Sequence, residues 1–177
     1  MAIDPQHLLN YPIPQVRQTL TEKDTAFYAL SVGLGMDPLD EKQLRFVDSA
    51  RDFRALPSIA VVLGHPGFWV ARDDTGIDAV RVVHGEQRIE WHKPLPVAGE
   101  VVGETRVTGV VDKGNNALMY SEKELRDGNG ELLATAGMTT VLRGQGGFGG
   151  DSEPLHAVHT LPDSEPDISV DLPLSLI

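Results

Sequence analysis

The sequence predicts an α+β domain, with a few short helices first and one long antiparallel sheet after them. Three observations carry this. From about residue 80, apolar and polar positions alternate with the two-residue period of half-buried strands. Two breaks in that pattern, Lys113-Gly114-Asn115-Asn116 and Asp127-Gly128-Asn129-Gly130, are tight-turn sequences, because Asn and Gly accept the positive φ that hairpins require. Eighteen glycines and 12 prolines among 177 residues exceed the ~12% of average chains, which favours turns and strands over a helix bundle.

The elements follow in order. Pro5, Pro12 and Pro14 interrupt any helix, so the opening stretch reads as irregular. Thr21-Glu22-Lys23-Asp24 starts a helix: Thr21 caps it, and the acids suit the positive end of its dipole. Phe27, Leu30 and Leu34 form a stripe along it, and Gly33, Gly35 and Pro38 stop it. A second short helix is expected over residues 41–53. Pro57 opens the apolar run 58–63, which Gly64-His65-Pro66-Gly67 closes after one or two turns. Residues 80–92, 100–112, 117–126 and 131–143 then read as four strands, and short connections imply a meander of antiparallel neighbours. The glycine-rich stretch 144–150 ends it. Residues 1–150 are thus one domain, and 151–177 an acidic, proline-rich linker or arm without the apolar content to fold alone.

Composition excludes several function classes. Fifteen Lys and Arg against 26 Asp and Glu give a net charge of −11, so the basic footprint of a nucleic-acid binder or a polybasic membrane patch is missing. Residues 151–177 hold six acids and no Lys or Arg. With no cysteine, disulfides, thiolate nucleophiles and Cys-ligated metal sites are excluded. The first residues carry neither the basic region nor the apolar core of a signal peptide, and no apolar run approaches the ~18 residues of a membrane span. A soluble cytoplasmic protein is expected, with no cofactor and no metal.

Histidines are the obvious chemical candidates. His84, Glu86, Arg88, Glu90 and His92 share parity on the first long strand and are expected on one face. His84 and His92 would lie ~26 Å apart at ~3.3 Å per residue, too far to share a metal, so a solvated face is the better reading. Asp78 with His84, or Asp24 with a distant His, would make a dyad only if the fold assembled it. No Gly-x-Ser-x-Gly elbow supports a serine triad. His156 and His159 read as a chance pair in the tail. The stretch 144–150 lacks the Gly-Lys-Ser/Thr of a phosphate loop and reads as a close-packed backbone turn.

Several stretches taken together resemble the MaoC-like dehydratase family, specifically the N-terminal half of hydratase 2, the R-specific enoyl-CoA hydratase. They are Tyr28-Ala29-Leu30-Ser31-Val32-Gly33-Leu34-Gly35, Leu44-Arg45-Phe46-Val47, Leu56-Pro57, His84-Gly85-Glu86-Gln87, Lys93-Pro94-Leu95-Pro96, Asp112-Lys113-Gly114, and Arg143-Gly144 followed by Gly146-Gly147-Phe148-Gly149-Gly150. The resemblance implies a hot-dog fold, a long antiparallel sheet wrapped around a central helix, here short or incomplete. It implies two hot dogs side by side, with an acyl-CoA thioester at their interface and water added across a trans-2-enoyl bond. In the catalytic half of that family an Asp and a His of the pattern Tyr-x-Leu-Ser-Gly-Asp-x-Asn-Pro-x-His activate the water. This chain has Gly33 and Pro38 at those positions, and neither can move a proton.

No catalytic residue is therefore assigned, and the chain resembles a first half standing alone, stopping ten residues after Pro162-Asp163-Ser164-Glu165-Pro166-Asp167. Its expected role is a noncatalytic subunit in fatty acid metabolism, paired as a homodimer or with a catalytic hot-dog chain. The interrupted helix at 58–63 leaves either an acyl-tail groove, with Leu30, Leu34, Ile59, Val62 and Trp69 as its residues, or a core plugged by Phe68 and Trp69. Two other readings compete. One is a self-sufficient homodimeric hydratase or thioesterase using Asp24, Asp48, His65 or His84, and the other is a relic without function.

Overall fold

A computed structural model of the chain describes residues 3–150, 152–157 and 160–171. Helix α1 (Pro5–Leu9) precedes strand β1 (Val16–Leu20), so the opening is not irregular as expected. Each proline sits where a missing N–H costs nothing: Pro5 in the first turn of α1, Pro12 and Pro14 in the connection to β1. The Asp4 carboxylate caps α1 by accepting from the N–H groups of Gln6 and His7.

Helix α2 (Glu22–Ser31) begins with a reciprocal capping box between Thr21 and Asp24, as the sequence implied. Its buried side is Thr25 and Ala29, with the Thr25 hydroxyl donating to the Val97 carbonyl. The stripe of Phe27 and Leu30 points outward instead, 69% and 50% exposed. Small residues let α2 lie close to the Val97 loop, which turns its large residues away. Helix α3 (Glu41–Leu44) is one turn long rather than filling 41–53. Asp48 accepts from the Ala50 N–H and draws the chain into a turn there.

The sheet is formed by β1 with β2 (Val82–Trp91), β3 (Gly99–Lys113), β4 (Asn116–Asp127) and β5 (Leu132–Leu142), all antiparallel, in the order β1-β3-β4-β5-β2. The four-strand meander is corrected at one point. β3, β4 and β5 are sequential neighbours, but β2 lies at the far edge and pairs with β5. Pro94 and Pro96 lack the N–H groups a hairpin would use, and their segment carries the chain across to β3. Beyond the sheet, Leu155 packs where a Cβ on Gly109 would stand, His156 meets Tyr120 edge-on, and Lys113 Nζ donates to the Ser152 carbonyl. His159 lies outside the described residues.

The central helix is a single 3-10 turn, Pro57–Val61, lying against β2 and β5. Three residues past its end stands Gly64, whose φ of +58° lets the backbone cross β3 at Gly103. A Cβ on Gly64 would stand 2.6 Å from the Gly103 nitrogen, and one on Gly103 would stand 2.1 Å from the Gly64 oxygen. Two glycines thus form a backbone-on-backbone contact that no side chain permits. The core divides around this stub. One cluster gathers α1 with Trp69, Val107, Met119 and Leu142, and the other holds Leu20, Ile59, Leu63, Val101, Leu125 and Leu133.

Candidate functional site

Between the two core clusters, the middle rows of the sheet's inner face belong to neither. Thr105, Lys123 and Ala136 stand in register across β3, β4 and β5, with Ser121 and Met138 in the next row. A cavity of about 430 Å³ lies over them, roofed by Val61, Val62, His65, Pro66 and Trp69, with His84 and Gln87 supplied from β2. A second hollow of about 270 Å³ shares His65, Trp69, His84 and Met138 and runs on to Val70, Val82 and Thr140. The stub stops at Val61, and the cavity lies beside its end, with Val61, Val62 and Pro66 in the lining.

Its polar groups are few. Lys123 is 5% exposed and donates to the Val61 carbonyl at 2.7 Å and the Leu63 carbonyl at 2.5 Å, the free carbonyls where the stub ends. Burial pulls its ammonium down to about 8. Burial and the Lys123 charge hold His65 below the ordinary imidazole value, and its Nδ1 accepts from the Gly67 N–H at 3.1 Å. The hydroxyls of Thr105 and Thr140 are buried with no hydrogen-bond partner among the described residues. No carboxylate lines the cavity.

The sequence-derived candidates distribute as follows. Val62 and Trp69 line the cavity, and Trp69 also stacks on Tyr11 within the core. Ile59 faces the second core cluster, while Leu30 lies on α2 and the half-buried Leu34 beyond its end, both outside the lining. His84 and Gln87 line the cavity, whereas Glu86 accepts from the Thr139 hydroxyl. The expected single face for His84, Glu86, Arg88, Glu90 and His92 is therefore corrected. A bulge at Gly85 puts His84 opposite Thr140 and Glu86 opposite Thr139, reversing parity within the strand. His92 lies past the strand's end.

Gly146, Gly147 and Phe148 pack elsewhere. Asp112 accepts from the N–H groups of Gly114, Gly147 and Gly149, which hold its carboxyl below the usual range. A Cβ on Gly146 would stand 2.3 Å from two carbonyl oxygens, and Phe148 packs on the first core cluster. The stretch is a backbone clip on the β3–β4 hairpin. Asp24 serves the α2 cap, Asp48 pairs with Arg51, and Asp78 pairs with Arg81, so none joins a histidine. Among the described residues, no cluster of three His, Asp or Glu could hold a metal ion, and no helix is long and apolar enough to cross a membrane.

Sequence reasoning missed Lys123, Thr105 and Ser121. A signal existed: Ala117, Met119, Ser121, Lys123 and Leu125 share parity on β4, so a lysine sits on an otherwise mostly apolar face.

Comparison with known proteins places the family and the fold. Residues 18–144 match the model of the MFE-2 hydratase 2 N-terminal domain. A probable enoyl-CoA hydratase 2 from Dictyostelium discoideum is 34% identical, over 94% of this chain and 58% of that protein. The 3-hydroxyacyl-thioester dehydratase Y of Mycobacterium tuberculosis is 34% identical, over 98% of this chain and 59% of that one. The solved MaoC-like dehydratase from Phytophthora capsici superposes with a TM-score of 0.77 at 27% identity, covering 94% of this chain and 59% of that structure. The chain thus spans somewhat over half the length of these relatives.

Proposed function

The chain belongs to the MaoC-like dehydratase family, through the hydratase 2 N-terminal domain, and on that premise we propose that it is the noncatalytic hot-dog half of an R-specific enoyl-CoA hydratase. Its task is to pair with a catalytic hot-dog chain and to take the acyl tail of the thioester into its groove. The observation that carries this reading is the cavity of about 430 Å³ beside a one-turn central helix, largely apolar and sharing part of its lining with a second hollow. Its volume and lining suit an acyl tail better than a reaction centre.

The missing chemistry supports the same reading. Gly33 and Pro38 stand where the family's catalytic half carries its Asp and His, and both are exposed in the turns after α2, outside the cavity. The groove itself has no carboxylate to activate water. The tail beyond residue 150 is an arm in this scheme, laid over Gly109 and Tyr120 at its start.

The test uses enoyl absorbance with crotonyl-CoA and with a long-chain enoyl-CoA. The chain alone should turn over neither, and addition of a separately expressed catalytic half should yield activity that this chain stimulates more for the long substrate. Equal stimulation of both removes the groove role and leaves scaffolding. Turnover by the chain alone that persists through further purification favours the second reading, a self-sufficient homodimer, for which His65 and His84 on one cavity are the candidate groups.

A further inference from the structure

The groove that would hold an alkyl tail has a buried cation in its wall. Lys123 Nζ carries three N–H donors, and the structure gives it two acceptors, the Val61 and Leu63 carbonyls. No carboxylate pairs with it among the described residues, and none lines the cavity. Its direct cross-strand neighbour, Thr105, lines the same cavity and holds a buried hydroxyl with no partner. A buried ammonium without a counter-charge and an unsatisfied hydroxyl on the paired strand are each costly, and an apolar ligand would leave both groups wanting. Capping the stub requires only the two carbonyl bonds, which leaves the third donor and the Thr105 hydroxyl unexplained.

We propose that the groove takes acyl chains that end in a carboxylate, with the tail oxygens accepting from Lys123 Nζ and the Thr105 hydroxyl. The surrounding residues fit the rest of such a molecule: Val61, Val62, Pro66, Trp69, Ala136 and Met138 meet methylene groups. Ser121 stands one row from Lys123 on the same face and offers a further hydroxyl. Charge-assisted bonds in a largely apolar groove discriminate strongly, because a methyl end leaves the third Lys123 donor and the Thr105 hydroxyl unmet. The inference rests on the acyl-groove reading above and names the class of tail within it.

The experiment measures binding to the full chain by calorimetry, comparing dodecanedioyl-CoA with lauroyl-CoA and hexadecanedioyl-CoA with palmitoyl-CoA. At one of the two lengths or both, the dicarboxylic thioester should bind about tenfold tighter than its methyl-ended counterpart, the effect of one charged hydrogen bond kept over one lost. Lys123→Met should abolish or invert that preference, and Thr105→Val should reduce it while sparing the cap on the stub. If Lys123→Met does not fold, the Thr105→Val comparison and the wild-type pair still decide. Equal binding, or a preference for the methyl-ended thioesters in the wild type, overturns the proposal while leaving the acyl groove intact. Failure of all four thioesters to bind overturns the groove itself and the proposal with it.

Discussion

Gly64 and Gly67 share a left-handed backbone conformation, at φ +58° and +74°, but differ in what surrounds them. A Cβ at Gly67 meets nothing within 4 Å, so Gly67→Ala should cost only the conformational strain, about 1 kcal/mol. A Cβ at Gly64 would enter the β3 backbone at Gly103. Gly64→Ala should add overpacking to the same strain and cost roughly 3 kcal/mol, read by chemical denaturation. Equal losses at the two sites would show that the stub tolerates displacement. Lys123 gives the residue scale a pH dependence. Its folded value of about 8 lies below the ordinary 10.5, so between these the unfolded chain holds a proton that the folded chain has released. Stability from this group therefore rises as pH climbs through that window. The difference in unfolding free energy between the wild type and Lys123→Met should move in favour of the wild type from pH 8 to 10.5. A difference flat across that range would place the ammonium in contact with water.

At the scale of elements, legibility tracked how local the deciding interaction was. The start of α2 was readable because the box between Thr21 and Asp24 closes within three residues. The β3–β4 and β4–β5 turns were readable because Gly114 and Gly130 adopt the positive φ their sequences suggest. β1 was missed because five residues between prolines and a helix cap carry little pattern, and its strand character comes from pairing with β3, 83 residues away at the Arg17–Glu100 ion pair. The reversal at Gly85 was equally hidden, since a bulge is decided by the neighbouring strand. That reversal matters for the site: it puts His84 and Gln87 together on the inner face, where strict alternation would separate them. Gly64 and Pro66 left an open groove and a plugged core as alternatives in the sequence, and neither alternative included a buried cation. Finding Lys123 required knowing that the odd-numbered face of β4 turns inward, and four of its five residues from 117 to 125 gave no reason to look for charge.

At the scale of the whole molecule, the sheet order leaves two edges, β1 and β2, each bonded on one side only among the described residues. β1 is short, which blunts it, but β2 runs for ten residues with no strand on its outer side among the described residues. The same molecule exposes Phe27, Leu30, Val32, Met36 and Leu39 on and just beyond α2, a concentration of large apolar residues that a lone chain would leave in water. Both features suit pairing with a second hot dog, and for the purified chain a second copy is the available one. A net charge of −11 opposes that self-pairing, and salt screens the repulsion. The purified chain should therefore scatter light with twice its 19.2 kDa mass at micromolar concentration, with the dimer favoured as ionic strength rises. Adding a catalytic half should displace the homodimer in favour of a mixed pair. A 19.2 kDa species that persists at micromolar concentration and high salt would show that the β2 edge and the α2 surface do not suffice for pairing.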